Sequence, residues 1–329
     1  MTRRAFLGGL CGGLTIAALS AHAQPARLPR KLGVILNYVE GDPEGQARLD
    51  ALNQQLAQRG WRGERDLQVN VRWAAGQPRL MREHAAEFVR QLVDVMVVNS
   101  TPLLTVVMEL TNAVPVVFTQ VADPVASGFL TNYSRPGANI TGFTDFDVLI
   151  AGKWVELLKA AAPRVEKILV LLDPEQKNHA AFLHAAELAA AAAKLQLSRA
   201  EVHDRDGIER AIAALSGQSD GGLLVLPGPL ANTQRGVIIQ LANRLRLPAI
   251  YPQKYYVREG GLLYYGADQL IQWSMAAEYV DRILRGEKPG NLPVQAPTKF
   301  ELVVNLAAAK AIGITPSATF LAGADEVLD

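Results

Sequence analysis

Short apolar runs of strand length alternate along this chain with longer segments of helical periodicity. The first run is LGVIL at residues 32–36, and residues 43–59 follow it with leucines at helical spacing. The same order recurs through both halves of the chain. Such alternation is typical of βαβ units around parallel sheets, so it predicts an α/β fold.

A turn-rich stretch, RPGAN at residues 135–139, separates two similar series of strands and helices. The length of 329 residues also suits two domains, each large enough to bury its own core. In sheets of this kind ligands sit beyond the carboxyl ends of the strands. We therefore expect a two-lobed protein with a ligand cleft between the lobes.

The first 23 residues have the pattern of an export signal. Arg3 and Arg4 form a basic start, residues 5–20 are apolar and uncharged, and AHA at residues 21–23 supplies a cleavage site. The paired arginines also resemble a twin-arginine leader, which directs export in bacteria. We expect cleavage, a mature protein that starts at Gln24, and delivery to the periplasm.

Two alternatives to a cleaved leader can be compared with the sequence. An uncleaved membrane anchor is disfavoured because the apolar run is short for a bilayer span and rich in glycine. Lipidation at Cys11 is disfavoured because Leu10 stands where a small residue should precede the cysteine. The alanine-rich run at residues 185–193 contains a glutamate, so we expect no membrane span in the mature protein.

The charged and metal-binding residues exclude several classes of function. The chain has 33 Lys and Arg against 32 Asp and Glu, without the basic stripe that nucleic-acid binding requires. Cys11 is the single cysteine, so neither a disulfide framework nor a thiolate metal site can form in the mature chain. The histidines do not show metal-ligand spacing. The sequence predicts no nucleic-acid partner, no metal and no cofactor.

The pattern G-x-S-x-G, which marks catalytic serines in some hydrolases, occurs at residues 217–221. A serine of that type must lie between a strand and the following helix. Here the pattern precedes the predicted strand at residues 223–226, so a helix-to-strand turn is the better interpretation. The sequence therefore predicts a protein that is not an enzyme, with an exported hydrolase as the alternative.

Polar residues follow two predicted strands of the first half. One strand ends at Asn99, Ser100 and Thr101, where the next helix would begin. Backbone N–H groups there can bind a ligand carboxylate, and an ordinary helix cap is an equally weighted alternative. The next strand ends shortly before Asp123, which can pair with a ligand ammonium or cap a turn.

Tyrosine is concentrated near the start of the last quarter of the chain. Five of the eight tyrosines lie between residues 251 and 265, and we take Tyr255 as a ligand-binding candidate among them. Aromatic faces with hydroxyl groups suit an amphipathic ligand. Packing in a core or a hinge is the alternative role.

Several blocks of the sequence follow a recognisable order. They read VPVVFTQVADPVASGFLTNYSRPGANITGF, YPQKYYVREGGLLYYGAD, AAEYVDRILRGEKPGNLPVQAPTKFELVVNLAAAKAIGI and the ending FLAGADEVLD. In that order they resemble the ABC-transporter substrate-binding family related to tryptophan and tyrosine transport binding proteins. Together with the leader, the resemblance covers essentially the whole chain.

The resemblance implies a type I periplasmic binding fold, with two Rossmann-like lobes, parallel sheets, three crossings and a central ligand cleft. We expect lobe 1 to comprise residues 24–147 plus 266–291, and lobe 2 residues 148–265 plus 292–329. The implied function is that of a monomeric solute-binding protein that delivers a small ligand to an ABC permease and its ATPase. Characterised relatives bind aromatic amino acids, so an amino acid, and an aromatic one, is the implied ligand.

The resemblance also implies which residues bind the ligand. Carried over by position, they are Asn37, Tyr38, Asn99, Ser100, Thr101, Asp123 and Asp268. The chain departs from the family pattern after the strand at residues 223–226, where Pro227, Gly228 and Pro229 stand in place of an expected polar side chain.

Overall fold

The computed structural model describes residues 28–125, 127–145, 147–176 and 178–329, so the predicted leader lies outside the described residues. In chain order the elements are β1 (Arg30–Leu36), α1 (Pro43–Gln58), β2 (Leu67–Trp73), α2 (Pro78–Arg90), β3 (Val95–Asn99), α3 (Thr101–Leu110), β4 (Val116–Val121), β5 (Ile140–Thr144), α4 (Ile150–Ala161), β6 (Lys167–Leu172), α5 (His179–Ala192), β7 (Gln196–Glu201), α6 (Arg205–Ala213), β8 (Gly221–Val225), α7 (Pro229–Thr233), α8 (Arg235–Arg244), β9 (Ala249–Tyr251), α9 (Lys254–Arg258), β10 (Leu263–Gly266), α10 (Gln269–Leu284), a 3₁₀ turn (Pro289–Asn291), β11 (Glu301–Asn305), α11 (Leu306–Ile312), α12 (Ala318–Ala322) and β12 (Glu326–Leu328).

Two separate sheets define the two lobes. The sheet of lobe 1 has the strand order β2-β1-β3-β4-β5 and is parallel throughout. The sheet of lobe 2 has the order β12-β11-β10-β9-β8-β6-β7, and its strands are parallel except for the pair β10 and β11. The expected α/β class with two lobes and mostly parallel sheets is confirmed.

Helices cover both faces of each sheet. In lobe 1, α1 and α10 pack on one face, and α2 and α3 pack on the other. In lobe 2, α4, α5 and α11 lie opposite α6, α8 and α9. Because both faces are covered, all five residues of β3 and of β8 are buried, which explains why these strands read as continuous apolar runs.

The chain passes between the lobes three times within the described residues: after β5, after β10 and before β11. After the second crossing α10 returns to lobe 1, where Trp273 is completely buried. The segment before β11 also lies with lobe 1, because Gln295 pairs with Phe143 of β5. The sequence-based boundary assigns residues 292–329 to lobe 2. The difference arises because backbone pairing holds the start of that range beside β5.

An irregularity in the pairing of β4 with β5 shapes the edge of the lobe 1 sheet. The register shifts between Phe118 and Val121, and Gln120 has the left-handed φ of 55°. Opposite the shift lies Gly142, with a φ of 155°. A Cβ atom at residue 142 would lie 2.7 Å from the Phe118 backbone nitrogen and still closer to its carbonyl oxygen. Only glycine allows β5 to lie this close to the backbone of Phe118. The irregular pairing turns Gln120 toward the space between the lobes.

Candidate ligand-binding site

A cavity lies between the lobes at the carboxyl ends of β1, β3, β4, β5, β6 and β8. The volume of the cavity is about 50 Å³. Its walls come from the loops of both lobes and from the first crossing. This is the position expected for a ligand site in a two-lobed α/β protein.

The lobe 1 wall contains residues that the sequence predicts. Asn37 follows β1, Asn99 ends β3, and Ser100 is the N-cap of α3. The Asn99 Oδ1 accepts from the Asn37 backbone N–H at 2.7 Å, and Asn37 Nδ2 donates to the Ser100 Oγ at 3.0 Å. Asn37 Oδ1 also accepts from the Gly76 N–H at 2.9 Å. These hydrogen bonds hold the side chains of the lobe 1 wall in place in the absence of a ligand.

The N-terminus of α3 opens into the same cavity. Ser100 has a φ of 80°, a strained value for a residue with a side chain, and Thr101 begins the helix. The first N–H groups of a helix lack acceptors within it and carry a partial positive charge. Pro102 lacks an N–H, so Thr101 and Leu103 supply the donors of this turn. The turn can therefore bind a carboxylate.

Asp145 places a carboxylate in the wall of the cavity, directly after β5. The residue is only 3% exposed, and its two oxygens accept hydrogen bonds from Gln269 Nε2 at 2.8 Å and Gln272 Nε2 at 3.3 Å. Burial raises the pKa of the Asp145 carboxyl to about 6, and the hydrogen bond from Gln269 and the charge of Arg48 limit the rise. A buried carboxylate of this kind gains from a cationic partner.

Sequence reasoning missed Asp145, because the short strand β5 was not recognised. The available signal was the run ITGFT at residues 140–144, apolar and β-branched, followed at once by an acidic residue. Among the residues described by the structure, Asp145 is the one carboxylate in the cavity wall.

The other four sequence-predicted residues lie outside the cavity wall. Tyr38 is buried behind the wall, and its hydroxyl accepts from Gln120 Nε2 at 3.4 Å. Tyr255 stacks on Tyr256 in lobe 2, with ring centres 5.2 Å apart. Asp268 caps α10 by accepting from the Leu270 N–H. Asp123 lies in the turn after β4.

The lobe 2 wall is formed by the loop of Pro227, Gly228 and Pro229 together with carboxamide side chains. Those side chains belong to Gln176, Asn178, Asn232 and Gln253. The loop therefore lacks polar side chains of its own, but neighbouring elements supply them.

His179 holds the lobe 2 loop in place. Its Nδ1 accepts from the Asp173 N–H at 3.0 Å, and its Nε2 donates to the Pro227 carbonyl oxygen at 2.9 Å. Burial lowers the pKa of His179, which keeps the ring neutral and able to make both bonds. The position of the loop is thus tied to the start of α5.

The lobes meet at the side of the cavity. Arg235 of α8 pairs with Asp42, the N-cap of α1, at 2.7 Å, and the two side chains are only 15% and 8% exposed. Arg235 also pairs with Glu259 of lobe 2. Gly76 of lobe 1 packs closely against Pro229 of lobe 2. A Cβ atom at residue 76 would lie only 3.2 Å from the Cβ of Pro229. The cavity is therefore enclosed by contacts between the lobes.

The G-x-S-x-G pattern lies in the turn after α6 and ends at Gly221, the first residue of β8, so it precedes the strand as the sequence predicted. Within the described ranges, no cluster of His, Cys, Asp and Glu could hold a metal ion. The helices within the same ranges are each too short or too polar to cross a membrane.

The sequence is similar to a known family and to a characterised relative. The family model described as "ABC transporter substrate binding protein" matches residues 33–328. A tyrosine-binding protein of Clostridioides difficile is 24% identical over 257 residues, which are 78% of this chain and 74% of that protein.

Two solved structures share the fold. A conserved domain protein of Vibrio cholerae has a TM-score of 0.83 and 29% identity, over 91% of this chain and 99% of that one. An ABC domain from Streptococcus pneumoniae in complex with L-Trp has a TM-score of 0.83 and 22% identity, over 91% of this chain and 100% of that one. The expected type I periplasmic binding architecture is confirmed by these likenesses.

Proposed function

Because the chain belongs to the family of ABC transporter substrate-binding proteins, we propose that it captures an amino acid in the cavity between its lobes and delivers it to a membrane permease driven by an ATPase. The observation that carries the choice of an amino acid is the presence of two complementary sites in one cavity. The first turn of α3 offers N–H donors, and Asp145 offers a buried carboxylate.

An amino acid presents the matching charges at a fixed separation. Its carboxylate would accept from the N–H groups of α3 and from the hydroxyls of Ser100 and Thr101. Its ammonium would donate to Asp145, whose ionised form gains a partner that the unliganded protein lacks in the cavity. The relatives that are named for tyrosine and that contain L-Trp support the same class of ligand.

The side chain of the amino acid would lie against the lobe 2 wall. There Pro227 and Pro229 present apolar ring faces, and Asn178 and Asn232 present carboxamides. A flat side chain with a polar group at its end satisfies both kinds of surface, because it packs on the prolines and leaves no carboxamide unpaired. L-tyrosine is therefore the first ligand to test.

A thermal-shift screen followed by calorimetry tests the function. The panel comprises the common L-amino acids, neutral sugars, amines without a carboxylate and carboxylates without an amine, all added to residues 24–329. A ligand at about 100 times its dissociation constant should add about 2.7 kcal/mol of stability. We expect amino acids to stabilise the protein and the single-charge compounds to have little effect. A neutral sugar as the best ligand would overturn the amino-acid assignment.

The contact between Arg235 and Asp42 should contribute to affinity, since ligand binding is coupled to the closed state. We expect Arg235→Gln to weaken the binding of the best amino acid by roughly fivefold, equivalent to about 1 kcal/mol. Arg235→Lys should lose less affinity. Calorimetry measures both values. Arg205→Gln is the matched control, because Arg205 forms an exposed ion pair with Glu209 within α6. Equal affinities for all three variants would show that the contact does not stabilise the closed lobes.

We also propose that the protein acts without chemical turnover, as a monomer. Ser219 lies in an exposed turn ahead of β8, where a hydrolase nucleophile would not be placed. Ser219→Ala should leave ligand affinity unchanged. Hydrolysis of a ligand that disappears in this variant would favour the exported-hydrolase alternative instead.

The proposed location is the periplasm, reached by the twin-arginine route. The proposal rests on Arg3, Arg4 and the AHA motif at residues 21–23. Replacing both arginines by lysine should stop export, as measured by fractionation, and sequencing of the exported wild type should begin at Gln24. Normal export of the double variant would exclude the twin-arginine route, and an intact N-terminus would exclude cleavage.

A further inference from the structure

A chain of buried hydrogen bonds connects α1 with the carboxylate of Asp145. Arg48 Nη2 donates to the Oε1 of Gln269 at 2.7 Å, and Gln269 Nε2 donates to the Oδ2 of Asp145 at 2.8 Å. The direction of these bonds is fixed by the ends of the chain, because a guanidinium can only donate and a carboxylate only accepts. The amide of Gln269 is therefore held in one of its two orientations.

Gln120 strengthens that orientation. Its Nε2 also donates to the Oε1 of Gln269, so the oxygen receives two donors. If the amide of Gln269 turned over, its NH₂ would face these donors and its oxygen would face the Asp145 carboxylate. Both contacts would then be repulsive, which makes the amide a fixed connection between Arg48 and Asp145.

Arg48 is itself enclosed from three sides. It is 2% exposed, and its Nη1 donates to the Glu44 carboxylate at 2.8 Å. The guanidinium lies 5.2 Å from the ring centre of Tyr38 and 5.7 Å from that of Tyr255. Tyr38 and Glu44 belong to lobe 1, whereas Tyr255 belongs to α9 of lobe 2. The contact with Tyr255 therefore requires the two lobes to be close together.

We propose that Arg48 and Gln269 are positioning residues, which hold Asp145 ionised and oriented for a ligand ammonium and link this state to the approach of the lobes. The inference rests on the proposed function, since that function supplies the ammonium. Neither residue needs to touch the ligand. Arg48 acts through Gln269, and the tyrosine of lobe 2 completes the enclosure of Arg48 when the lobes close.

The groups that face Asp145 from the surrounding elements are few. Gln272 from α10 and Gln253 from the loop before α9 are neutral carboxamides. Tyr38 and Tyr264 face it from lobe 1 and from β10, and burial raises the pKa of both, so they remain neutral. Among the described residues around Asp145, Arg48 is the group that brings a positive charge.

Proton titration of Asp145 by NMR of carboxyl-labelled aspartate, without any ligand, tests the roles. The resonance is assigned by its loss in Asp145→Asn, and we expect a midpoint of about 6 in the wild type. Gln269→Glu should raise the midpoint by at least one pH unit, because the new carboxylate would meet Asp145 and force the two to share a proton. Arg48→Met should raise it as well, because the positive charge that lowers the pKa of Asp145 is lost.

Gln55→Glu is the matched control. Gln55 also accepts from an arginine, Arg59, through its side-chain oxygen at 2.8 Å, but it is only partly buried and does not line the cavity. This variant should leave the midpoint of Asp145 unchanged. If neither Gln269→Glu nor Arg48→Met moves the midpoint in a folded protein, the positioning roles are wrong. Loss of the native fold in both variants would count against the proposal too, since it would show purely structural roles.

The two proposals can fail separately. If no amino acid stabilises the wild-type protein in the screen, the proposed function is wrong, yet the titration still decides whether Arg48 and Gln269 control Asp145. If amino acids bind and the midpoints do not move, the function stands and the positioning inference is wrong.

Discussion

Asp145→Asn should weaken the binding of the best amino acid by about 30- to 1,000-fold at pH 8, because truncating one partner of a buried charge pair costs about 2 to 4 kcal/mol or more. The substitution keeps the shape of the side chain and removes its charge. Calorimetry of the two proteins with the same amino acid measures the ratio.

The affinity of the wild type should also depend on pH. The pKa of the buried carboxyl is raised to about 6, so Asp145 takes up a proton as the pH falls through that value. Only the ionised form pairs with an ammonium, and the dissociation constant should therefore rise roughly tenfold per pH unit below 6. The stability of the unliganded protein should instead rise as the pH falls through 6, because the folded protein binds this proton more tightly than the unfolded chain. Asp145→Asn should show neither dependence.

Asp123→Asn serves as the matched control for charge. Asp123 is the carboxylate that the sequence suggested for the ammonium, and it lies in the turn after β4, outside the cavity wall. We expect the affinity of Asp123→Asn for the best amino acid to match that of the wild type within about threefold. The opposite pattern, with a large loss in Asp123→Asn and none in Asp145→Asn, would restore the sequence-based assignment.

Gly142→Ala should lower the free energy of unfolding by about 4 kcal/mol or more, one of the largest effects expected from a single methyl group. The new Cβ would collide with the backbone of Phe118, which cannot move without breaking the pairing of β4 with β5. The positive φ of 155° adds strain. Chemical denaturation with urea measures the change.

Gly313→Ala is the control for backbone strain alone. Gly313 ends α11 with a left-handed φ of 80° and has open space around its Cα. Its substitution should cost only about 1 to 2 kcal/mol. Equal losses for the two variants would mean that the close approach of β5 to β4 does not limit the side chain at residue 142.

The sequence predicted regular elements best where the helical or strand pattern was uninterrupted. The helical pattern of residues 150–161 and the strand-like run of residues 167–172 predict α4 and β6 with the bounds that the structure gives them. Strand β5 was missed because glycine and threonines dilute its short apolar run. Its glycine is required by the irregular pairing with β4, which depends on residues more than twenty positions away. A local pattern could not show that requirement.

The candidate site was predictable in part for the same reason. Asn99, Ser100 and Thr101 follow a strongly apolar strand, so the rule about strand ends located them. Asp145 follows the missed strand. The role of Arg48 depends on contacts with α9 and α10, more than 200 residues later in the chain, and no spacing in the sequence indicates it.

Helix α10 has a consequence for how the chain folds during synthesis. Its buried face, including Trp273, completes the core of a lobe whose strands all lie before residue 145. Helix α10 must therefore emerge from the ribosome before that core can form. Until then, the apolar faces of α1 and of the lobe 1 sheet stay exposed to water. The sheet of lobe 2 is likewise incomplete until β11 and β12 have been synthesised. The two lobes therefore complete their cores nearly together, and interruption of synthesis before residue 269 leaves both of them exposed to aggregation.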